Sequence, residues 1–212
     1  MQEEPRRRIV VTGIGVVTPL ADEVDRFWSR LTAGECGIHP LTTMDTTAYK
    51  VNFGGDIPDF SVAGFVEHRE AKRLDRFTQF AVYAAGKAIE DAGVDFDQTD
   101  RSRCGVILGS GIGGLAEIEV QIEKMLAKGP DRVSPFTVPK MMVNAAGGNI
   151  SIAHGLRGPN YAVATACASA TNAMGDAYRS ILCGETNLVI TGGSEAAITK
   201  MGLAAFQNMK AL

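Results

Sequence analysis

Four short runs of nearly continuous apolar residues alternate with helical patterns along this chain. The runs are rich in β-branched residues and cover residues 8–17, 104–110, 161–166 and 188–191. Strands buried on both faces have this composition, and they occur in parallel sheets that helices cover on both sides. The alternation therefore predicts an α/β layered domain with a mainly parallel sheet flanked by helices.

The helical patterns between these runs have recognisable ends. They cover residues 22–33, 70–92, 115–127, 138–153 and 168–182. Gly34, Gly93 and Gly184 follow three of them, as expected of residues that stop a helix. Residues 37–66 are less regular and rich in Thr, Gly, Pro and Asp, which predicts an excursion with short elements.

Composition excludes several classes of protein. The 212 residues are 45% hydrophobic and 21% charged with a net charge of −3, so nothing global points to nucleic acid. No stretch is long and apolar enough to predict a membrane span. The cysteines form no C-x-x-C pair and no cysteine–histidine cluster at zinc spacing. This favours free thiols in a reducing, cytoplasmic compartment and no metal site.

Cys167 is the candidate nucleophile. It follows the apolar run 161–166 and precedes small residues that open the helix predicted over residues 168–182. A thiol at a helix N-terminus lies beside unpaired N–H groups and the positive end of the helix dipole, which favour the thiolate. On spacing alone, a buried and inert cysteine is the more common alternative.

Several motifs resemble those of β-ketoacyl-acyl carrier protein synthases, the condensing enzymes of the thiolase-like superfamily. Thr-Ala-Cys-Ala-Ser at residues 165–169 resembles their active-site elbow. Further matches follow in the same order along nearly the whole chain, at residues 10–19, 109–114, 134–139, 154–159 and 192–195. The type II synthases of dissociated fatty acid synthesis are the most similar members.

The resemblance implies that residues 1–212 form the N-terminal, thiolase-like half of a condensing enzyme, the first of two duplicated halves. In the family, the second half supplies two histidines, a lysine, a second oxyanion-hole N–H and the strand that completes the first sheet. His39, His68 and His154 match no catalytic position of the family. We therefore expect residues 1–212 alone to be inactive in condensation.

The resemblance also implies a reaction and its partners. Cys167 would take an acyl group from acyl carrier protein as a thioester. Malonyl-acyl carrier protein would then lose carbon dioxide and add two carbons, giving β-ketoacyl-acyl carrier protein. The substrates are acyl and malonyl thioesters, the partner is acyl carrier protein, and no metal or organic cofactor is expected. The apolar strand 161–166 could pair across a two-fold axis in a homodimer.

Three residues match positions that line the acyl pocket in the family. They are Ile112, Thr137 and Phe206. Thr137 departs from the family pattern, because many type II synthases have an aromatic residue there. The preferred acyl-chain length is therefore left open.

A basic helical face is predicted in the first half of the chain. Arg69, Lys72, Arg73 and Arg76 are spaced at i, i+3, i+4 and i+7. On the residues alone, a solvated helix with internal ion pairs is favoured. The resemblance assigns Arg69, Lys72 and Arg73, together with Lys210, to docking of the acidic carrier protein, where attraction would speed the encounter.

Alternative functions stay open. Residues 109–114 match G-x-G-x-x-G, but no acidic residue follows at the end of a next strand, so close backbone packing is favoured over nucleotide binding. A type II polyketide ketosynthase has the same fold and nucleophile. A thiolase would act on coenzyme A thioesters without a docking face. A non-catalytic chain-length factor, which is a partner subunit, lacks the nucleophilic cysteine.

Overall fold

Helices and strands alternate along most of the chain, as the sequence predicts. The computed structural model describes residues 8–212. The helices are α1 (Val24–Thr32), α2 (His68–Ala71), α3 (Arg76–Ala92), α4 (Leu115–Lys128), α5 (Thr137–Met141), α6 (Ala145–His154), α7 (Ser169–Leu182) and α8 (Lys200–Asn208). The strands are β1 (His39–Pro40), β2 (Phe53–Gly54), β3 (Cys104–Gly109), β4 (Asn160–Val163) and β5 (Leu188–Gly193). Over residues 8–212, no helix combines the length and the apolar character of a membrane span.

A three-stranded parallel sheet lies at the centre of the structure, with the strands in the order β4, β3, β5. Ile107 of β3 pairs with Tyr161 on one side and with Thr191 on the other. Every residue of β3 is buried. The continuous apolar run that predicted this strand is thus explained by helices on both faces of the sheet.

Helices cover the two faces of the sheet. On one face, Ile107 forms a buried cluster with Ala173 and Ala177 of α7. On the other face, Val106 and Leu108 belong to a larger buried cluster with residues of α3 and α6. Successive residues of β3 therefore point into opposite layers, as the pleat of a strand requires. This confirms the predicted α/β layered fold with a parallel sheet.

The first predicted strand, over residues 8–17, is not formed. Within residues 8–212 this segment pairs with no strand, and Val11 is 81% exposed. The segment lies along α3 instead, where the backbone N–H of Ile14 donates to the Asp91 carboxylate at 2.9 Å. A strand needs a hydrogen-bonded neighbour, and the described residues supply none.

Two predicted helices are each divided in two. The helix expected over residues 70–92 becomes α2 and α3, because the Asp75 side chain caps the start of α3. The helix expected over residues 138–153 becomes α5 and α6. There the carbonyl of Met141 accepts the backbone N–H of Gly114 at 3.2 Å. A continuous helix would give that carbonyl to the N–H four residues later.

Residues 37–66 form the predicted excursion, in which β1 and β2 pair antiparallel. Asp56 fastens it, because its carboxylate accepts the backbone N–H groups of Thr42 and Thr43 at 3.2 and 3.0 Å. Nδ1 of His39 lies 3.4 Å from Oδ1 of Asp56. Burial acts to raise the pKa of Asp56, but the threonine hydrogen bonds and the imidazole outweigh it and lower that pKa.

The four cysteines are free thiols, as the sequence predicts. Cys104 is buried in β3, and this burial raises the pKa of its thiol. Cys36, Cys167 and Cys183 are exposed.

Gly15 packs too closely on α3 to accept a side chain. A Cβ at Gly15 would lie 1.9 Å from the carbonyl oxygen of Ala84. We expect Gly15→Ala to lower the free energy of unfolding by about 2–3 kcal/mol, because the segment must move away from the helix. Urea unfolding measures this change.

Gly148→Ala is the matched control. Gly148 lies within α6, and a Cβ there would meet nothing within 4 Å. Alanine at this position should keep the free energy of unfolding or raise it by up to about 1 kcal/mol. Equal losses at both glycines would contradict the close packing of residues 8–17 on α3.

Candidate active site

The candidate site is built from the segments that follow the three parallel strands. Residues 110–114 follow β3, residues 164–168 follow β4 and residues 194–195 follow β5. The backbone joins these segments: Ser110 N–H donates to the Val163 carbonyl at 3.1 Å, and Ser194 N–H donates to the Gly109 carbonyl at 3.0 Å. The crevice beyond the carboxyl ends of parallel strands is a common location for binding sites.

Cys167 lies in a tight turn between β4 and α7. A 3₁₀ turn covers Ala166–Ala168, and α7 begins at the next residue. Ala166 has a φ of 52°, a left-handed conformation that residues with a Cβ seldom adopt. The chain passes from strand to helix within a few residues and leaves Cys167 exposed at the helix N-terminus, where the sequence places it.

Ser169 holds this turn. Its hydroxyl accepts the backbone N–H of Thr165 at 2.9 Å and donates to the carbonyl of Ala166 at 2.6 Å. The residue is 4% exposed, so solvent does not compete for these bonds. The amide of Asn172 donates to the Thr165 hydroxyl at 2.8 Å. Side chains of α7 therefore hold the strained backbone beside Cys167.

Glycines allow α7 to begin directly on the sheet. A Cβ at Gly109 would lie 2.3 Å from the carbonyl carbon of Ser169, and a Cβ at Gly193 would lie 2.7 Å from the Cβ of Ala170. These two glycines end β3 and β5. Their missing side chains place the N-terminus of α7 directly over the strand ends.

Glu195 joins the segments that follow β3 and β5. Its Oε2 accepts the backbone N–H groups of Gly111 and Ile112 at 2.7 and 3.1 Å. The hydroxyl of Ser110 lies 3.5 Å from both carboxylate oxygens and accepts the N–H of Gly113 at 3.1 Å. In the sequence, Glu195 is distinguished only as part of the motif at residues 192–195. The signal that indicates its role is an acidic residue directly after one predicted strand, together with a glycine-rich loop after another.

The family model of the β-ketoacyl synthase N-terminal domain matches residues 6–212. The chain belongs to this family. Two curated relatives, from Staphylococcus aureus (strain COL) and from Synechocystis sp., are both called 3-oxoacyl-[acyl-carrier-protein] synthase 2. They are 41% and 42% identical over 97% and 98% of this chain. The chain spans about half the length of these relatives, 50% in each case.

Solved ketosynthases share the fold of this β-ketoacyl synthase domain. An ishigamide ketosynthase/chain length factor matches with a TM-score of 0.91 at 29% identity, over 98% of this chain and 52% of that chain. A β-ketoacyl synthase from Burkholderia phymatum matches with a TM-score of 0.81 at 27% identity, over 94% and 49%. These similarities confirm the predicted thiolase-like α/β fold.

The three predicted acyl-pocket residues of this synthase domain lie on three different elements. Ile112 is in the loop after β3, Thr137 begins α5, and Phe206 is on α8. Ile112 and Phe206 are 38% and 39% exposed. The loop after β3 meets α5 through the hydrogen bond from Gly114 to Met141, and α4 contacts both α5 and α8. Ile112 and Thr137 therefore lie on adjoining segments, and α4 links them to the helix of Phe206.

The predicted docking residues of the synthase domain differ in solvent exposure and in contacts within the chain. Arg69 and Lys72 are exposed at α2. Arg73 is half-buried: its guanidinium pairs with Glu70 at 3.0 Å and lies 4.9 Å from the ring centroid of Phe136. Two of the three cations at this place are thus presented to solvent, and the third is already in contact within the chain.

The prediction that these cations share one helical face is wrong for Arg76. The helix is interrupted before Arg76, whose guanidinium lies 5.0 Å from the ring centroids of Phe60 and Phe80 and donates to the Ile57 carbonyl at 2.6 Å. The guanidinium of Arg76 therefore binds groups inside the domain and does not face a partner. Lys210 lies on a separate element, beyond the end of α8.

The three histidines of the synthase domain lie on elements away from Cys167. His39 is in β1, His68 begins α2 and His154 ends α6. The ring of His154 packs 5.5 Å from that of Phe96, and burial lowers the pKa of its imidazole. Within residues 8–212, none of the three hydrogen-bonds to Cys167.

Ser169→Ala should loosen the turn that carries Cys167. The change leaves the N–H of Thr165 and the carbonyl of Ala166 without their buried partner, which costs about 1–3 kcal/mol of unfolding free energy. We also expect slower alkylation of Cys167 by iodoacetamide, because the strained turn relaxes and the thiol moves from the helix N-terminus.

Ser180→Ala is the control on the same helix. Ser180 is also buried, and its hydroxyl bonds to Glu185 and Thr186 at 2.9 and 3.0 Å. A similar loss of stability with an unchanged alkylation rate at Cys167 is the expected result. If both variants slow alkylation equally, Ser169 has no specific role in holding the turn.

Proposed function

We propose that residues 1–212 form the N-terminal half of a condensing enzyme of fatty acid elongation, a β-ketoacyl-acyl carrier protein synthase in which Cys167 carries the acyl group. The turn around Cys167 carries this proposal: it is an exposed thiol at a helix N-terminus, beside a strained residue, at the carboxyl ends of three parallel strands. The shared name of two relatives, 3-oxoacyl-[acyl-carrier-protein] synthase 2, supports the same chemistry.

The first step is acyl transfer. The Cys167 thiolate attacks the carbonyl carbon of the thioester that joins the acyl chain to acyl carrier protein. The backbone N–H of Cys167 donates to the oxygen as negative charge develops on it. The bond to the carrier sulfur then breaks and the carrier leaves as a thiolate, which takes up the proton that Cys167 lost. The acyl chain stays on Cys167 as a thioester.

The second step is decarboxylative condensation. Malonyl-acyl carrier protein loses carbon dioxide, and the electron pair of the broken bond becomes a carbanion. This carbanion attacks the carbonyl of acyl-Cys167, so a carbon–carbon bond forms and the bond to Cys167 sulfur breaks. The product is a β-ketoacyl-acyl carrier protein that is two carbons longer. The carbanion would be stabilised by histidines of a second half, and neither step needs a metal or an organic cofactor.

The binding surfaces follow from the same proposal. Ile112, Thr137 and Phe206 line the acyl pocket. Arg69, Lys72 and Arg73 attract the acidic carrier protein, and Lys210 contributes from a separate element. The acyl carrier protein in the name of the relatives supports this partner.

A homodimer formed through β4 is part of the proposal. β4 is an edge strand, because it pairs with β3 on one side and lies at the end of the described sheet. Tyr161 of β4 is 41% exposed. An exposed edge strand can pair with its own copy across a two-fold axis.

A type II polyketide ketosynthase is the second candidate. The fold match to the ishigamide ketosynthase/chain length factor, with a TM-score of 0.91, supports this candidate as well, because the two classes share the fold and the nucleophile. The exposed Cys167 argues against a non-catalytic partner subunit, and the exposed Arg69 and Lys72 argue against a thiolase that acts on coenzyme A thioesters.

Acylation of Cys167 is the first test. In the protein that carries both halves, acyl-acyl carrier protein should place the acyl group on Cys167, as found by peptide mass spectrometry. Iodoacetamide should label Cys167 before Cys36 and Cys183, because these two do not lie at a helix N-terminus.

Residues 1–212 alone should not catalyse condensation, since each missing oxyanion donor costs about 10²–10³ in rate.

The control is Cys167→Ala, which should form no acyl thioester. Acylation by coenzyme A thioesters alone would favour the thiolase. A labelled thiol other than Cys167, or condensation by residues 1–212 alone, would contradict the proposed division of the site.

Reversal of two charges tests carrier docking. Arg69→Glu together with Lys72→Glu should raise the KM for acyl-acyl carrier protein at least about tenfold, because the acidic partner is then repelled. A small thioester mimic should react at nearly the unchanged rate. Steady-state kinetics with both substrates measure the difference.

The matched control is Arg26→Glu together with Lys128→Glu, which gives the same change in net charge at exposed residues of α1 and α4. This variant should leave the KM for the carrier-bound substrate nearly unchanged. Equal losses on the carrier-bound substrate and on the mimic would show that α2 has only a structural role.

A further inference from the structure

One carboxylate holds the backbone of the loop that follows β3. Consecutive backbone N–H groups, those of Gly111 and Ile112, both point to Oε2 of Glu195, at 2.7 and 3.1 Å. Successive N–H groups of this kind form a concave anion-binding surface. Here the anion belongs to the chain itself and comes from the segment after the neighbouring strand β5.

The loop lies between Glu195 and the turn of Cys167. A Cβ at Gly111 would lie 3.1 Å from Oε2 of Glu195 and 3.9 Å from the Cα of Ala166. The side of Gly111 on which a side chain would stand therefore faces the Glu195 carboxylate and Ala166, the residue before Cys167. A shift of Glu195 would move the loop relative to the thiol.

The far end of the loop lies against α5. A Cβ at Gly114 would be 2.5 Å from the carbonyl oxygen of Lys140, and a Cβ at Gly113 would be 2.9 Å from that of Met141. The loop is thus held by α5 at one end and by Glu195 at the other. Its one large side chain is Ile112, whose own N–H is one of the two bonded to Glu195.

We propose that Glu195 is a positioning residue: its carboxylate sets the place of Ile112 and thereby the length of acyl chain that Cys167 accepts. This inference rests on the proposed function, in which Ile112 lines the acyl pocket. Glu195 does not act on the reacting atoms. Its role is to hold the two N–H groups that fix the loop.

The bonding pattern distinguishes two substitutions. An amide oxygen can accept the same two N–H groups, so Glu195→Gln keeps the acceptor and the size of the side chain. Glu195→Ala removes the acceptor, and the loop loses its attachment to the segment after β5. The two variants therefore separate the hydrogen bonds from the charge.

The experiment measures acyl-Cys167 formation in the protein that carries both halves, with a short and a long saturated acyl chain on acyl carrier protein. Glu195→Ala should lower the ratio of kcat/KM for the long chain to that for the short chain by about tenfold, mainly through KM, because a mobile wall gives a long chain less apolar contact. Glu195→Gln should stay within about threefold of the original ratio. Iodoacetamide should alkylate Cys167 at a rate within about twofold of the original in both variants.

A double substitution tests whether Glu195 acts through Ile112. In an Ile112→Ala background, Glu195→Ala should change the chain-length ratio no further, since coupled residues give non-additive effects. Additive effects would overturn the inference. If Glu195→Ala does not fold, Glu195→Asp replaces it, because the shorter acid keeps the charge but does not reach both N–H groups.

Glu90→Ala is the control for loss of a surface carboxylate. Glu90 lies on α3, its side chain is 61% exposed, and its partner is Lys87 at 3.5 Å. It should leave the chain-length ratio unchanged. Failure of the original protein to acylate Cys167 would overturn the proposed function, whereas normal acylation with an unchanged ratio in Glu195→Ala would overturn only the role of Glu195.

Discussion

The close approach of α7 to the ends of β3 and β5 is the contact on which the candidate site depends. Gly109 and Gly193 leave no side chain between the strand ends and the first turn of α7. Further along the helix, the small side chains Ala173 and Ala177 are 0% and 3% exposed and continue the contact over Ile107. Close packing along one line therefore fixes both the position and the direction of the helix that begins beside Cys167.

This contact explains the strained backbone before Cys167. β4 ends beside β3, and α7 begins above the same strand ends, so only a few residues connect them. The chain makes this connection with a positive φ at Ala166. The buried hydroxyl of Ser169 stabilises this conformation, because it accepts the backbone N–H of Thr165 and donates to the carbonyl of Ala166. A strained residue persists when its surroundings determine it in this way, and such residues cluster at functional sites.

A buried ionic cluster supports the other side of the site. The Lys140 ammonium on α5 pairs with the Glu117 carboxylate on α4, and Asp75 accepts the backbone N–H of Glu117 at 3.1 Å. Glu117 and Asp75 are 6% and 4% exposed, and burial raises the pKa of Asp75. Removing one member of such a cluster leaves an uncompensated buried charge. α3, α4 and α5 are therefore tied together where the loop after β3 reaches α5.

Local patterns in the sequence determined the layered α/β class, the parallel sheet and the position of Cys167 between a strand and a helix. Hydrophobic periodicity and small residues express these features within one segment, so they need no knowledge of distant contacts. Only the tertiary structure decided that residues 8–17 lack a strand partner within the described chain, that Arg76 turns inward, and that Glu195 holds the backbone of Gly111, 84 residues away. The physical reason is the same in each case. Whether a backbone group or a charge finds a partner depends on a residue far away in the sequence, and only folding brings the two together.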